Sequence, residues 1–272
     1  MYTIERIQSL DLPELEPYRT MRRQMEHRLK GIFVAEGEKV VRRLLESSLP
    51  VISLLLPQNW ISPLEPLLAA RPENITLFVA DKALLETLTG FSMYQGVLGL
   101  ARVPKPADLG ILERSRRPWL LAAADGLTNA ENLGAVIRNC AAFNVQALIV
   151  GETCCSPFLR RAVRSSMGAI FQLPVLETSN LSSTLAELKS RGVRCIAAHP
   201  HVQKQSLTET NFANDCCVIF GSEGQGIAAS VLNVCDECAA IPMPETIDSL
   251  NVGSAAAVFL YEANRQRQKI RR

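Results

Sequence analysis

Short apolar runs alternate with longer amphipathic segments through most of this 272-residue chain. The apolar runs have the length of buried strands, and the segments between them repeat apolar residues at helical spacing. Strands that alternate with helices favour a mostly parallel sheet with helices on both faces, because each crossover lays a helix against the sheet. The sequence therefore predicts an α/β fold.

The predicted elements form two groups on either side of a segment rich in proline and arginine. The first group has predicted strands at 31–36, 51–56, 75–80 and 96–103, with helices at 15–30, 38–47, 64–70 and 82–88. The second has predicted strands at 119–124, 147–150, 172–175, 193–198, 217–221 and 238–241, with helices at 133–143, 158–167, 181–191, 228–234 and 254–268. We predict an N-terminal domain at 1–103, a linker at 104–118 and a second domain at 119–272.

Composition excludes several classes of protein. With 47% hydrophobic residues the chain is too apolar to be disordered. Lys and Arg number 29 against 27 Asp and Glu, and a net charge of +2 excludes a polycationic tail but not a local basic patch. No stretch approaches the roughly 20 apolar residues of a membrane span, and the start lacks a secretory signal pattern. We therefore expect a cytoplasmic protein.

The eight cysteines do not have the spacing of a zinc site. Cys235 and Cys238 form one C-x-x-C pair, whereas the pairs at 154–155 and 216–217 are adjacent. A structural zinc site needs two spaced pairs, or one pair with spaced histidines. We expect no metal, and we interpret Cys140, Cys195 and Cys217 as small core residues in a reduced protein.

Three segments with unusual polar residues follow predicted strands, where ligands bind in parallel sheets. In the first, residues 125–139, either Asn129 or Asn132 caps the next helix. Gly134 and Arg138 lie four apart on one helix face, which leaves room for a phosphate or ribose beside the guanidinium. The alternative is a capped helix with a solvated arginine.

The second segment, residues 220–226, has three glycines in the pattern G-x-x-G-x-G. This is not the dinucleotide pattern G-x-G-x-x-G, and Glu223 would repel a pyrophosphate, which disfavours a nicotinamide cofactor and a dinucleotide-dependent oxidoreductase. A positively charged ligand, or one held by backbone groups, fits better. The alternative is a glycine-rich turn without a ligand.

The third segment, residues 241–254, contains Pro242 and Pro244, which end the preceding strand. Either Ser249 or Asn251 caps the last helix, whose small residues allow another backbone to pack closely. The alternative is simply a capped terminal helix.

In their order and spacing, the three segments resemble the signature motifs of the SpoU (TrmH-like) family of RNA ribose 2′-O-methyltransferases, within the SPOUT superfamily. The first resembles Asn-x-Gly-x-x-x-Arg at Asn132, Gly134 and Arg138. The second and third resemble Gly-Ser/Ala-Glu-Gly-x-Gly at 221–226 and Ile-Pro-Met…Ser-Leu-Asn-Val at 241–252. The chain departs from the pattern at Ala130, where proline is frequent, and at Gly253, where serine is frequent. Residues 33–41 and 95–100 resemble the family's substrate-binding domain.

The resemblance implies a parallel-sheet α/β domain with a deep trefoil knot, preceded by a smaller α/β substrate-binding domain (L30e-like). It also implies a homodimer and an S-adenosyl-L-methionine pocket formed by the knot. The cofactor contacts carried over by position are Gly221, Ile241 and Leu250, with Gly226, Met243 and Val252 nearby.

The implied reaction transfers a methyl group from a sulfonium to a ribose hydroxyl, and the resemblance places Arg138 near that hydroxyl. A guanidinium stays protonated, so either an RNA phosphate takes up the proton while Arg138 orients the ribose, or Arg138 is a transient base. We prefer the first version, because it does not require the guanidinium to lose its proton. Asn132 would position Arg138 or the ribose, Glu223 would hold the arginine or a donor nearby, and Ser249 and Asn251 would order the knot loop.

Basic residues cluster at 19–43, 114–117, 160–164 and 265–272, and these clusters are candidates for phosphate contacts. Aromatic residues make up only 6%, which favours recognition of folded RNA by shape and phosphates over base stacking. The separate N-terminal domain favours ribosomal RNA as substrate. The alternatives are a tRNA ribose methyltransferase and a non-catalytic RNA-binding or ribosome-assembly factor of the same fold.

Overall fold

A computed structural model describes residues 1–89, 96–199, 206–244 and 246–270. Its backbone contacts divide the chain into two compact units. The first comprises Met1–Lys105 and Phe158–Gln172, and the second Pro106–Pro157 and Leu173–Arg272. The break at 105 lies close to the predicted end of the N-terminal domain, but residues 158–172 group with the first unit rather than the second.

The helices and strands are numbered in chain order. The chain up to the break contains β1 (Tyr2–Arg6), α1 (Glu16–Arg19), α2 (Gln24–Lys30), β2 (Ile32–Glu36), α3 (Glu38–Glu46), β3 (Val51–Leu56), α4 (Ile61–Ala69), β4 (Ile75–Val79), α5 (Lys82–Thr89) and β5 (Leu98–Arg102). After it come β6 (Leu120–Ala124), α6 (Ala130–Ala142), β7 (Ala147–Val150), α7 (Arg160–Ser165), β8 (Val175–Glu177), α8 (Leu181–Ser190), β9 (Arg194–Ala198), β10 (Cys216–Phe220), α9 (Ala229–Leu232), β11 (Glu237–Ala239) and α10 (Val252–Ile270).

The first unit contains a five-stranded mixed sheet in the order β1-β4-β3-β5-β2. Strands β1, β3 and β4 pair in parallel, but β5 runs antiparallel to both of its neighbours. The prediction of mostly parallel strands is therefore only partly confirmed in this unit. The edge strand β1 was not predicted, because its largely exposed sequence YTIER has no apolar run.

The single helix predicted at 15–30 is interrupted between α1 and α2. The Thr20 hydroxyl donates to the carbonyl of Glu16 at 2.9 Å, and the Arg23 amide donates to the carbonyl of Thr20 at 2.7 Å. These bonds form a turn in which the helix ends and restarts. A threonine hydroxyl that competes for backbone groups is a known cause of such an interruption.

The segment 158–172 belongs to the first unit because it packs along β2, the last strand of that sheet. The Phe33 ring lies 5.3 Å from the ring of Phe158 and 5.7 Å from that of Phe171. At the end of β2, the buried Glu36 carboxylate pairs with Arg160 and, at 3.1 Å, with Arg164. Apolar packing and a buried ion pair thus attach this segment to β2.

The second unit contains a six-stranded, entirely parallel sheet in the order β11-β9-β10-β6-β7-β8. This confirms the predicted parallel sheet. Strands β6, β7 and β8 extend to one side, whereas β10 and β9 extend to the other. The strand order therefore reverses between β6 and β10, and the carboxyl ends of these two strands form the crevice where parallel sheets bind ligands.

The strand predicted at 172–175 is wrong in position, since β8 begins only at Val175. Gly168 has a positive φ of 78°, and a 3-10 helix at Ala169–Phe171 follows it. Pro174 has no N–H to donate, although its carbonyl accepts a bond from Leu148 at 3.0 Å. The chain enters the sheet only after this proline.

The cysteines are free thiols, and Cys140, Cys195 and Cys217 are fully buried, which confirms their interpretation as core residues. Burial raises the pKa of the Cys195 thiol to about 12, so this side chain stays protonated and apolar. Within the described residues, no group of three or more His, Cys, Asp and Glu is arranged to hold a metal. No described helix has the length and hydropathy needed to cross a membrane.

Replacing Arg160 with methionine should lower the free energy of unfolding by about 2–3 kcal/mol, because it removes one partner from the buried Glu36 carboxylate. Arg161 is the matched control, since it is exposed and has no partner among the described residues. Arg161→Met should change that free energy by less than about 0.5 kcal/mol. Urea unfolding followed by circular dichroism measures both, and equal values for the two variants would refute a stabilising role for the pair.

Candidate active site

The first motif segment begins helix α6 at the carboxyl end of β6. The Asn129 side chain accepts bonds from the backbone amides of Glu131 at 2.8 Å and Asn132 at 3.4 Å, so Asn129 rather than Asn132 is the N-cap. The cap starts α6 at Ala130, three residues earlier than predicted. Because Asn132 does not serve as the cap, its amide is available for other contacts.

The second motif segment is a tight loop that follows β10. The backbones of Ser222 and Gly226 exchange two hydrogen bonds, at 3.0 and 2.9 Å. A Cβ atom on Gly221 would lie 2.5 Å from the carbonyl oxygen of Gly226, closer than real Cβ contacts. Gly226 itself has a φ of 69°. The loop closes because both positions are glycine.

The three motif segments meet at the Glu223 carboxylate. Its Oε1 atom accepts hydrogen bonds from Asn132 Nδ2 at 3.1 Å, Asn251 Nδ2 at 2.5 Å and the backbone N of Val252 at 3.3 Å. Asn251 Nδ2 also lies 3.1 Å from Asn132 Oδ1. Of the two predicted roles for Glu223, the structure therefore shows contacts with neighbouring amide donors rather than with an arginine.

Helix α10 is capped by Asn251, not by Ser249. The Asn251 Oδ1 atom accepts a bond from the backbone N of Gly253 at 2.9 Å, and the Asn251 carbonyl accepts one from Ala255 at 2.9 Å. The same asparagine thus uses its oxygen to start the helix and its amide nitrogen to bind Glu223. This double use fixes the first turn of α10 relative to the Glu223 loop.

A cavity of about 330 Å³ opens beside this network, at the carboxyl ends of β9 and β10. Glu223 and Ser249 line it, whereas Asn132, Arg138 and Asn251 do not. Its wall also contains all six residues predicted to contact a cofactor: Gly221, Gly226, Ile241, Met243, Leu250 and Val252.

Arg138 lies on α6, six residues beyond Asn132, and its side chain is exposed. It has no hydrogen-bond or ion-pair partner among the described residues, so its guanidinium faces solvent. The structure therefore brings Asn132, Glu223 and Asn251 together and leaves Arg138 outside this cluster.

The sequence analysis assigned no role to three titratable residues at or near the ends of the parallel strands. His199 and Asp248 line the cavity, whereas the buried Asp125 lies outside its wall and accepts a bond from the backbone N of Ala228 at 2.7 Å. His199 lies outside the three motif segments. Its position directly after a predicted strand was the signal that could have found it.

Several arginines of the predicted phosphate-binding clusters form hydrogen bonds or ion pairs within the second unit. The Arg267 side chain donates to the backbone carbonyls of Pro118 and Trp119, both at 2.8 Å. Arg117 pairs with Asp215 and lies over the Trp119 ring, 4.0 Å from its centroid. Arg265 pairs with Glu262 at 2.7 Å. These side chains are committed to intramolecular contacts.

Comparison with known proteins agrees with the geometry of the site. Residues 120–261, which contain all three motif segments, match the model of the SpoU rRNA Methylase family. The chain belongs to the SpoU family. An uncharacterized tRNA/rRNA methyltransferase of Mycobacterium tuberculosis (strain H37Rv) is 33% identical over 240 residues, which cover 87% of this chain and 82% of that protein.

Solved structures of the SpoU type share the fold. The SpoU methyltransferase AviRb from Streptomyces viridochromogenes, in complex with AdoMet, has a TM-score of 0.82 at 22% identity and covers 94% of this chain and 98% of its own. An RNA 2′-O ribose methyltransferase has a TM-score of 0.80 at 27% identity, with coverage of 97% and 100%. The α/β fold and its parallel-sheet domain are therefore those of SpoU methyltransferases.

Replacing Gly221 with alanine should lower the free energy of unfolding by about 2–3 kcal/mol, because the new Cβ would overlap the backbone of Gly226. Gly224 lies in the same loop, and a Cβ there would meet nothing within 4 Å. Gly224→Ala should change stability by less than about 0.5 kcal/mol. Thermal and urea unfolding compare the two variants, and a Gly221→Ala protein as stable as the Gly224→Ala protein would contradict the close-approach argument.

Proposed function

We propose that this SpoU-family RNA methyltransferase uses S-adenosyl-L-methionine to methylate the ribose 2′-hydroxyl of structured RNA, with ribosomal RNA as the preferred substrate. The observation that carries the proposal is the convergence of three motif segments on Glu223, beside a cavity lined by all six predicted cofactor residues. The RNA 2′-O ribose methyltransferase that shares this fold supports the choice of the ribose hydroxyl.

The cavity suits S-adenosyl-L-methionine in shape and charge. Its apolar side chains, including Ile241, Leu250 and Phe259, offer a surface for an adenine ring, and the backbone of the Gly221–Gly226 loop offers hydrogen bonds. Glu223 and Asp248 supply negative charge at a site whose ligand would carry a sulfonium cation. When bound, the cofactor supplies an electrophilic methyl group.

We also propose that the second unit contains the deep trefoil knot of the family. The close backbone approach at Gly221 and the contacts from Asn251 to both Asn132 and Glu223 support a tight chain crossing at this place. The residues proposed to order the crossing are Ser249 and Asn251, of which Asn251 caps α10.

In the proposed mechanism, Arg138 orients the ribose and binds an RNA phosphate. Its exposed guanidinium has no partner among the described residues, so no intramolecular bond must break before RNA binds. A guanidinium stays protonated at neutral pH, which makes it a poor base, and the phosphate it binds would take up the proton of the 2′-hydroxyl. Asn132, held by Glu223, would position the ribose from the start of the same helix.

The preference for ribosomal RNA rests on the first unit, a sheet domain separate from the cofactor cavity. We propose that this unit is the L30e-like substrate-binding domain. Its exposed basic residues, such as Arg28 and Lys39, are proposed phosphate contacts. A tRNA substrate remains the second candidate, because the curated relatives are named tRNA/rRNA methyltransferases.

Replacing Arg138 with alanine should reduce methyl transfer at least about 100-fold while leaving the affinity for S-adenosyl-L-methionine within about threefold, because the side chain lies outside the cavity. Arg191→Ala is the control, since it removes an arginine of the second unit that lies outside the basic clusters and pairs with Glu187. Radioactive methyl transfer to RNA and calorimetry measure the two quantities. Mapping 2′-O-methyl sites on total RNA with and without the protein identifies the target. Full activity of Arg138→Ala would overturn the mechanism.

We propose a homodimer formed through α10. Val258 and Tyr261 on this helix are 39% and 57% exposed, and the Tyr261 ring meets the edge of Phe143 with 6.2 Å between centroids. Val258→Glu should convert the dimer into a monomer in light scattering, because it places a charge in an apolar interface. Ile4→Glu, at an exposed apolar position of the first unit, should leave the mass unchanged. A monomeric wild-type protein would refute this proposal.

A further inference from the structure

One hydrogen bond joins the helix of Arg138 directly to the start of α10. The Asn139 side chain donates from Nδ2 to the backbone carbonyl of Gly253 at 2.6 Å. Asn139 is partly buried and Gly253 is buried. Gly253 follows Asn251, the cap of α10, and Val252, its first residue, and both of these donate to Glu223.

The contact depends on a close approach of the two helices. A Cβ atom on Gly253 would lie 2.8 Å from Cβ of Ala135 on α6 and 3.1 Å from Oδ1 of Asn251. Glycine therefore brings the backbone of α10 near enough to α6 for Asn139 to reach its carbonyl. This gives a physical reason for Gly253, one of the two positions where the chain departs from the family pattern.

The bond is compatible with the hydrogen bonding of both helices. A carbonyl oxygen has two lone pairs, so Gly253 can accept from Asn139 and still accept from the backbone one helical turn later. Neighbouring residues of a helix point about 100° apart. Asn139 can thus face α10 while Arg138, one residue earlier, faces solvent.

We propose that Asn139 is a positioning residue for methyl transfer. Its bond to Gly253 holds the first turn of α10 against the helix that carries Asn132 and Arg138. Through that turn it fixes Asn251 and Val252, and with them the geometry between Glu223 and the Arg138 helix. This inference rests on the proposed function, since it concerns the same site, but it assigns a role to Asn139, which lies just beyond the Asn-x-Gly-x-x-x-Arg pattern that ends at Arg138.

The test is Asn139→Asp, which keeps the size of the side chain but replaces the donor with an oxygen that repels the Gly253 carbonyl. We expect kcat for RNA methylation to fall about tenfold or more, because small misplacements of reacting groups have large effects on rate. The KM for S-adenosyl-L-methionine should change by less than about threefold, because most of the cavity wall belongs to the strand-end loops.

Gln146→Glu is the matched control. The Gln146 amide donates to the backbone carbonyl of Arg116 at 2.8 Å, at the amino end of β7, far along the sheet from the strand ends that line the cavity. The Gln146→Glu variant should lose a comparable hydrogen bond and keep the wild-type kcat. An equal fall in kcat in both variants would show general destabilisation and overturn the inference.

A second pair of variants keeps the test decisive if Asn139→Asp folds poorly. Gly253→Ala should lower kcat in the same way, because its Cβ would push α10 away from Ala135. Adding Ala135→Gly removes the opposing Cβ and should restore kcat at least about threefold relative to Gly253→Ala alone. Absence of any restoration would overturn the inference.

The proposed function and the positioning role of Asn139 can be refuted separately. If wild-type protein transfers no methyl group from S-adenosyl-L-methionine to unmodified total RNA, the proposed function fails. If the wild type is active and Asn139→Asp matches its kcat, the function stands and the positioning role of Asn139 is refuted. Faster amide hydrogen exchange over residues 252–256 in Asn139→Asp would support the role independently of activity.

Discussion

The arrangement of the site depends on one carboxylate. Glu223 accepts hydrogen bonds from Asn132, which lies 91 residues earlier in the chain, and from Asn251, which lies 28 residues later. Hydrogen bonds to a charged carboxylate are stronger than those to a neutral acceptor, so Glu223 is an effective point of attachment for donors from distant parts of the chain. Through this one side chain the start of α6, the loop after β10 and the start of α10 are joined to one another.

Close backbone approach is the condition that makes this network possible. At Gly221 the chain passes next to Gly226, and at Gly253 it passes next to Ala135, in both cases at distances that exclude a Cβ atom. The two glycines act at different places: the first closes the loop that bears Glu223, and the second brings α10 onto α6. The side-chain amides of Asn132, Asn139 and Asn251 then span the short gaps that remain.

The elements that could be predicted from the sequence are those whose residues are buried. Strands such as β7 and β10 were located to within one residue, because buried parallel strands are continuous apolar runs. The exposed edge strand β1 has no such signal. The attachment of 158–172 to β2 was also beyond reach, since Phe158 and Phe171 show that the segment is apolar but not which core receives it. At the site, the motifs predicted the residues of the cavity wall. The bond from Asn139 to the Gly253 carbonyl could not be predicted, because every residue has a backbone carbonyl and the sequence does not show which one a side chain reaches.

The basic clusters show why a charge pattern alone overstates a nucleic-acid surface. Arg267 is surrounded by backbone carbonyls, Arg160 neutralises the buried Glu36, and Arg117 is held by Asp215. Each is needed by its own unit, so releasing it to bind a phosphate would expose unpaired buried groups and weaken the fold. Phosphate contacts must come instead from arginines without such partners, and Arg138 is one of these. In our proposal, arginines without intramolecular partners therefore both select the RNA and orient its ribose.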